Sequence, residues 1–197
     1  MDSVANRDRF VTASRWILVL PALLLVILVG SILLDREPEV REDSSYPRRY
    51  MALVELYSKK WDVPESIVYG VIRVESNFRA KAVSPANAIG LMQVTEPTYE
   101  WIYQMRGMVA DPDTIAIPSY NIDAGVYLLA WLYRQYQNWE TAFAAYNAGV
   151  GRVNRWLEDP EISQDGVLVN IPIEETRNYV RLVTRAAEAY RSLYGME

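Results

Sequence analysis

Nineteen consecutive residues without a charge, Trp16 to Leu34 (WILVLPALLLVILVGSILL), constrain this 197-residue chain more than any other feature. At about 1.5 Å per residue a helix of that length spans roughly 28 Å, close to the hydrocarbon thickness of a bilayer. A cleavable signal peptide has a shorter apolar stretch and ends at an A-x-A-like site. No such site follows Leu34, and a chain without cysteine has no lipid-attachment motif. Residues 16–34 therefore read as an uncleaved transmembrane helix behind a short tail, residues 1–15, with Pro21 tolerable near its end. Arg7, Arg9 and Arg15 precede it and Arg36, Arg41, Arg48 and Arg49 follow, so the positive-inside count leaves orientation open. The short tail favours a signal-anchor that exports the rest of the chain.

Residues 35–45 (DREPEVREDSS) are charged, contain proline and lack periodicity, which is the composition of a linker. One domain, residues 46–197, comes after it. The chain has 20 basic and 25 acidic residues. Setting aside Arg7, Arg9, Arg15, Asp2 and Asp8 leaves 17 against 23, so no basic surface dominates and no nucleic-acid partner is expected. There is no cysteine and no histidine. Ser-His-Asp and Cys-His catalysis, thiolate metal sites and H-E-x-x-H zinc sites are thereby excluded. No metal or cofactor is expected, and proton chemistry without one falls to Asp, Glu, Lys or Tyr.

The domain reads as mainly α. Tyr50, Leu53, Val54, Tyr57 and Trp61 mark one apolar helical face. Asp62 is expected to cap the next helix, with Pro64 in its first turn and Glu65 three residues after the cap. Asn121–Tyr136 and Trp139–Asn147 read as helices, the second ended by Gly149. Tyr179, Leu182, Val183, Ala186 and Tyr190 recur at helical spacing ahead of Gly195. Residues 167–173 are the only stretch resembling a strand.

In the helix opening near Pro64, Ile67, Val68, Val71 and Ile72 are apolar, and Glu75 lies four residues after Val71 and three after Ile72. It projects from the same face. A carboxylate withdrawn from water has its charged form disfavoured and its pKa raised, as a general acid requires. The plain alternative is a glutamate paired with Arg73 or Arg79. SPANAIG (84–90) is small and turn-prone, suited to a wall beside an extended ligand. GLMQ (90–93) supplies a flexible apolar side chain and an amide, or else a glycine turn leading to a core Leu-Met pair. Tyr146 and Asn147 suit a sugar-binding groove equally with a packing tyrosine and a helix-capping asparagine.

In this order, ESNF, AIGLMQ, NIDAGVYLL, AYNAG and IPIEETRNYV resemble the successive signatures of bacterial lytic transglycosylases with the SLT-type domain, across residues 50–194. The resemblance implies a lysozyme-like fold. It also implies cleavage of the β-1,4 bond between N-acetylmuramic acid and N-acetylglucosamine in peptidoglycan, closing 1,6-anhydro ends without water. Glu75 then acts as acid and afterwards as base, followed in the chain by Ser76. Ser84, Met92, Gln93, Tyr146, Asn147 and Tyr179 are implied substrate-groove residues. One tyrosine is expected to hold Glu75, with Tyr179 ahead of Tyr146. Asn87 stands where the family often has glycine, and Pro97 lies further behind the glutamine than usual. Implied partners are peptidoglycan glycan strands and, through the N-terminal helix, the membrane; a wall-synthesis or secretion complex is left open as a partner. The domain would lie on the outer side of the cytoplasmic membrane. Two rivals remain: a lysozyme-like or chitinase-like hydrolase, for which Glu96, Asp111 and Asp113 are open as second carboxylates, and a catalytically inactive wall-binding scaffold.

Overall fold

The structure is a computed structural model that describes residues 44–196. The membrane segment expected over 16–34 lies outside the described residues, as do the tail and most of the linker. Among the described residues no helix is long and apolar enough to cross a membrane.

Seven α-helices and two short hairpins make up this region. Helix α1 (Met51–Trp61) carries Lys59 and Lys60 in its last turn, where cations complement the helix dipole. It ends on Asp62, which is left-handed (φ 58°) and donates its N–H to the Ser58 carbonyl. Asp62 therefore closes α1 rather than capping the next helix. Helix α2 (Glu65–Ser76) starts instead from Pro64, whose fixed φ pre-sets the first turn. It stops where Asn77 and Phe78 both turn left-handed. Chain order continues through α3 (Glu96–Met105), α4 (Pro118–Tyr136), α5 (Trp139–Ala148), α6 (Val150–Leu157) and α7 (Glu174–Tyr194). Asn138 caps α5 by accepting the Thr141 N–H at 2.9 Å.

The most extensive helix contact is α2 on α7. It is close because Gly70 has no side chain. A Cβ there would stand 3.0 Å from the Ala187 nitrogen and 3.2 Å from the Val183 carbonyl. Tyr69 of α2 stacks on Tyr190 of α7 at 4.9 Å. Val183, Ala186 and Tyr190 are buried as the spacing predicts, but Leu182 is exposed, because α7 turns that edge to solvent.

Asp123 of α4, nearly buried, binds three groups from other elements. It accepts from Lys60 Nζ at 3.0 Å and Trp61 Nε1 at 2.8 Å, and its second oxygen meets Arg106 at 2.8 Å. The Arg106 guanidinium also lies over the Trp61 ring, 5.0 Å from its centroid. This knot ties α1 and the end of α3 to α4.

Of residues 167–173 only Val167–Leu168 is a strand (β4), paired antiparallel with Ser163–Gln164 (β3). Asp165 and Gly166 both have positive φ between them, which is the Asp-Gly signature of a tight hairpin. A second hairpin, which periodicity does not reveal, pairs Ala88–Ile89 (β1) with Val94–Thr95 (β2), placing Ala88 opposite Thr95.

Candidate active site

Glu75 lies one turn beyond the buried face of Ile67, Val68, Val71 and Ile72, at the C-terminal end of α2. It is half-buried. Across the α2–α7 contact, the Tyr179 hydroxyl donates to Glu75 Oε1 at 2.7 Å. Burial pushes the carboxyl pKa up from 4.5 to about 7, and the Tyr179 hydrogen bond offsets part of that rise. At neutral pH the group is thus close to half protonated. Neither nearby arginine is placed on it. Arg73 donates to the Ser45 carbonyl and lies over the Tyr46 ring, while Arg79 Nε donates to the Ser76 carbonyl at 3.0 Å.

The hydroxyls of Tyr146 and Tyr179 are held well above the usual tyrosine range, first by burial and then by the Glu75 charge beside them. They serve as neutral hydrogen-bonding groups. Tyr146 donates to the Met92 carbonyl at 2.7 Å.

The Gly-Leu-Met-Gln turn is fastened from three sides. Gly90 has φ 84°, and a Cβ there would come within 2.4 Å of Asn121 Nδ2, so both conformation and contact require glycine. Asn121, wholly buried near the start of α4, donates to the carbonyls of Ile89 (2.9 Å) and Ile115 (2.8 Å) and accepts the Met92 N–H (2.8 Å). Ser76 Oγ donates to the Leu91 carbonyl at 2.8 Å. The residue after Glu75 thereby binds the turn, and Tyr146 binds its next carbonyl.

A cavity of about 440 Å³ opens on Glu75. Ser84, Pro85, Ala86 and Ala88 form one wall, Gln93 and Thr95 come from the β1–β2 hairpin, Tyr146 and Asn147 from α5, and Glu175 from α7. The Ser84 hydroxyl accepts the Ala88 N–H at 3.1 Å, closing the loop over Asn87. Asn87 has φ 59°, a left-handed backbone that asparagine tolerates better than most side chains. Gln93 directs its amide to the carbonyls of Ala82 (3.2 Å) and Gly90 (2.9 Å). Asn147 accepts from the Thr176 hydroxyl at 2.8 Å, which joins α5 to α7.

Met92 does not line this cavity. It is fully buried with Leu91, against Gly125, where a Cβ would meet its sulfur at 2.5 Å. The Leu-Met core pair is the observed arrangement, and Met92 reaches the site only through its carbonyl. Glu96, Asp111 and Asp113 are also outside the lining. Asp111 accepts the Asp113 N–H at the start of a short 3-10 turn. The sequence reading missed Glu175, whose position four residues before Tyr179 puts it on the same helical face. Asn121 was missed too; its signal was an amide beginning an otherwise apolar helix. Among the described residues no three acidic side chains gather as a metal ion would require.

Comparisons with known proteins agree on one family. The family described as "Transglycosylase SLT domain" matches residues 52–167. The chain is 33% identical over 167 residues to the membrane-bound lytic murein transglycosylase C of Haemophilus ducreyi, covering 73% of this chain and 46% of that protein. It is 33% identical over 158 residues to the soluble lytic murein transglycosylase of Escherichia coli K12, covering 78% of this chain and 24% of the relative. The crystal structure of the 70 kDa Escherichia coli enzyme superposes with a TM-score of 0.69 at 32% identity, over 76% of this chain and 25% of that one. An inactive mutant of the Pseudomonas aeruginosa enzyme gives 0.68 at 31% identity, over 75% and 24%. The chain thus spans under half the length of the membrane-bound relatives and about a quarter of the soluble ones. With the SLT match covering more than half of its residues and a mainly helical, lysozyme-like fold shared with these structures, the chain belongs to the transglycosylase SLT-domain family.

Proposed function

We propose that the protein is a peptidoglycan lytic transglycosylase in which Glu75 is both acid and base. The observation that carries this reading is the half-buried carboxyl at about 7, facing a cavity and held by a tyrosine. Tyr179 donates to Oε1, which keeps that oxygen carbonyl-like and directs the acidic proton to Oε2. The protonated group gives this proton to the glycosidic oxygen as the C1–O4 bond breaks, releasing the 4-hydroxyl of N-acetylglucosamine. The muramic acetamido group supports the positive charge at C1. The Glu75 carboxylate then takes the 6-hydroxyl proton while O6 bonds to C1, giving a 1,6-anhydro end. Water is not consumed, and the glutamate ends as it began, protonated. One carboxyl suffices where a hydrolytic pair needs two.

Ser84, Gln93, Tyr146 and Asn147 would bind the strand from the cavity walls, and Tyr179 would position Glu75. Met92 would shape the floor from beneath through its carbonyl. Residues 16–34 would anchor the chain in the cytoplasmic membrane by one helix, with residues 35–45 as linker and 46–197 as the catalytic domain on the wall side. Membrane attachment agrees with the name of the Haemophilus ducreyi relative, although soluble relatives also match.

Full-length protein in phospholipid nanodiscs, incubated with purified peptidoglycan and analysed by mass spectrometry, tests this. Anhydro-muropeptides from the native protein and none from Glu75→Gln are expected. Products from neither would move the reading to a wall-binding scaffold. Reducing ends would mean a hydrolase, and Glu175 is the specific observation behind that second reading, since it is a second carboxylate lining the same cavity. Glu175→Gln would then abolish activity.

A further inference from the structure

Of the five sequence blocks, NIDAGVYLL (121–129) alone contributes no residue to the Glu75 cavity. It lies in the first turns of α4, and its two sides make different contacts. Asp123 belongs to the knot with Lys60, Trp61 and Arg106. Asn121 and Gly125 are four residues apart, so they share the other side, about 200° around the helix from Asp123. That side meets the turn of residues 90–93.

The Asn121 amide is fully committed there. It donates to the Ile89 carbonyl at 2.9 Å and the Ile115 carbonyl at 2.8 Å, and its oxygen accepts the Met92 N–H at 2.8 Å. A buried amide satisfied in this way resists displacement, because any shift leaves a polar group with neither partner nor water. Gly125 seats the other half of the same residue. A Cβ on Gly125 would stand 2.5 Å from the Met92 sulfur and 2.7 Å from its Cβ. Met92 is thus pinned at its N–H by Asn121 and at its side chain by Gly125. Its carbonyl is the group to which the Tyr146 hydroxyl donates at 2.7 Å. Tyr146 in turn lies close enough to Glu75 for the carboxylate charge to act on it. Moving Met92 therefore moves the phenol that stands beside the acid.

We infer that Asn121 and Gly125 are positioning residues for the chemistry at Glu75, seating Met92 so that its carbonyl holds the Tyr146 hydroxyl beside the carboxyl. This rests on the acid–base reading of Glu75 and deepens it, since neither residue lines the cavity and both act through Met92. A displaced Tyr146 opens one side of the carboxyl to water and relieves the burial around it.

Asn121→Asp keeps the side-chain shape but carries at most one proton where two are donated, so the Ile89 and Ile115 carbonyls face a carboxyl. Gly125→Ala drives a methyl into Met92 without touching that amide, which keeps the inference testable if Asn121→Asp does not fold. Full-length protein in nanodiscs is read two ways. Turnover of purified peptidoglycan strands gives kcat and KM. Infrared difference spectroscopy follows the protonated Glu75 carboxyl, identified by its absence from Glu75→Gln, through a pH titration. Both variants are expected to lose kcat on the order of a hundredfold, the worth of a displacement of about 1 Å, with a much smaller change in KM. The Glu75 midpoint should fall from about 7 toward 4.5 as burial is relieved. Tyr146→Phe alone should also lower kcat, and adding it to either variant should cost almost nothing further, since the link it removes is already broken. Asp123→Ala is the control for a merely structural role, because it weakens the same helix and leaves the Glu75 midpoint in place. Variants that behave like Asp123→Ala, or whose losses multiply with that of Tyr146→Phe, would overturn the inference. If the native protein cleaves no strand while the midpoint near 7 falls in both variants, the catalytic reading fails and the positioning stands. If anhydro ends are released and both variants keep the native kcat and midpoint, the reverse holds.

Discussion

Replacing Glu75 by glutamine should make the protein more stable, and only above a particular pH. The carboxyl rises from 4.5 to about 7 on folding because burial disfavours its charge. A raised carboxyl pKa means that the native state holds the proton more tightly than the unfolded chain. Below about pH 4.5 both states are protonated and burial costs nothing through ionisation. Between 4.5 and about 7 the unfolded chain ionises first, so stability falls as pH rises. Above about 7 the loss is complete. At about 1.4 kcal/mol per pKa unit, the shift amounts to about 3 kcal/mol. Glutamine keeps the shape and can still accept from Tyr179, but it has no charge to bury. Urea unfolding of native protein and Glu75→Gln at pH 4 and pH 8.5 measures the double difference, in which the other titrating groups cancel. Near-equality at pH 4 and a gain for glutamine of about 3 kcal/mol at pH 8.5 are expected. A difference that does not change with pH, or a glutamine protein relatively weaker at pH 8.5, would refute the buried-acid argument.

Tyr179→Phe removes a hydrogen bond that favours the carboxylate, so the Glu75 pKa should climb further. The alkaline limb of the rate profile, expected near pH 7 for the native protein, should move up by about 1–2 units, the worth of a hydrogen bond to a charged group; an unmoved limb would count against this pairing. Gly70→Ala places a methyl 3.0 Å from the Ala187 backbone, so α7 must shift away from α2. A stability loss of about 1–3 kcal/mol in denaturant unfolding should accompany a disproportionate fall in kcat, because the same shift draws Tyr179 from Glu75. Asp123→Ala leaves Arg106 and Lys60 without their shared carboxylate, and should cost about 3–5 kcal/mol by the same measurement, with little change in the pH profile.

Much of the helical framework was legible in the chain. Periodicity located the apolar faces of α1, α2 and α7, and glycine marked the ends of α5 and α7. Errors fell where local chemistry allowed two outcomes. Asp62 is a good cap by type, but its left-handed conformation ends α1 instead of starting α2. The two-residue strands β1 and β2 are too short for alternation to register. Leu182 has the right spacing for the core and the wrong side of the helix edge.

The site divided along the same line. Residue type and order alone determined that proton chemistry belongs to carboxyl, amine or phenol groups, and that Glu75 shares a face with Val71 and Ile72. Both follow from composition and from the 3.6-residue turn, which are properties of the chain before it folds. Only the tertiary structure decided that Tyr179, 104 residues away, is the tyrosine on Glu75. It likewise decided that Met92 turns inward while Glu175 turns to the groove, and that Asn121 holds the Gly90–Gln93 turn. Those choices depend on how closely two helices approach at Gly70 and on which polar group fills a buried gap. Such distances arise from packing between segments far apart in sequence, where no local pattern records them.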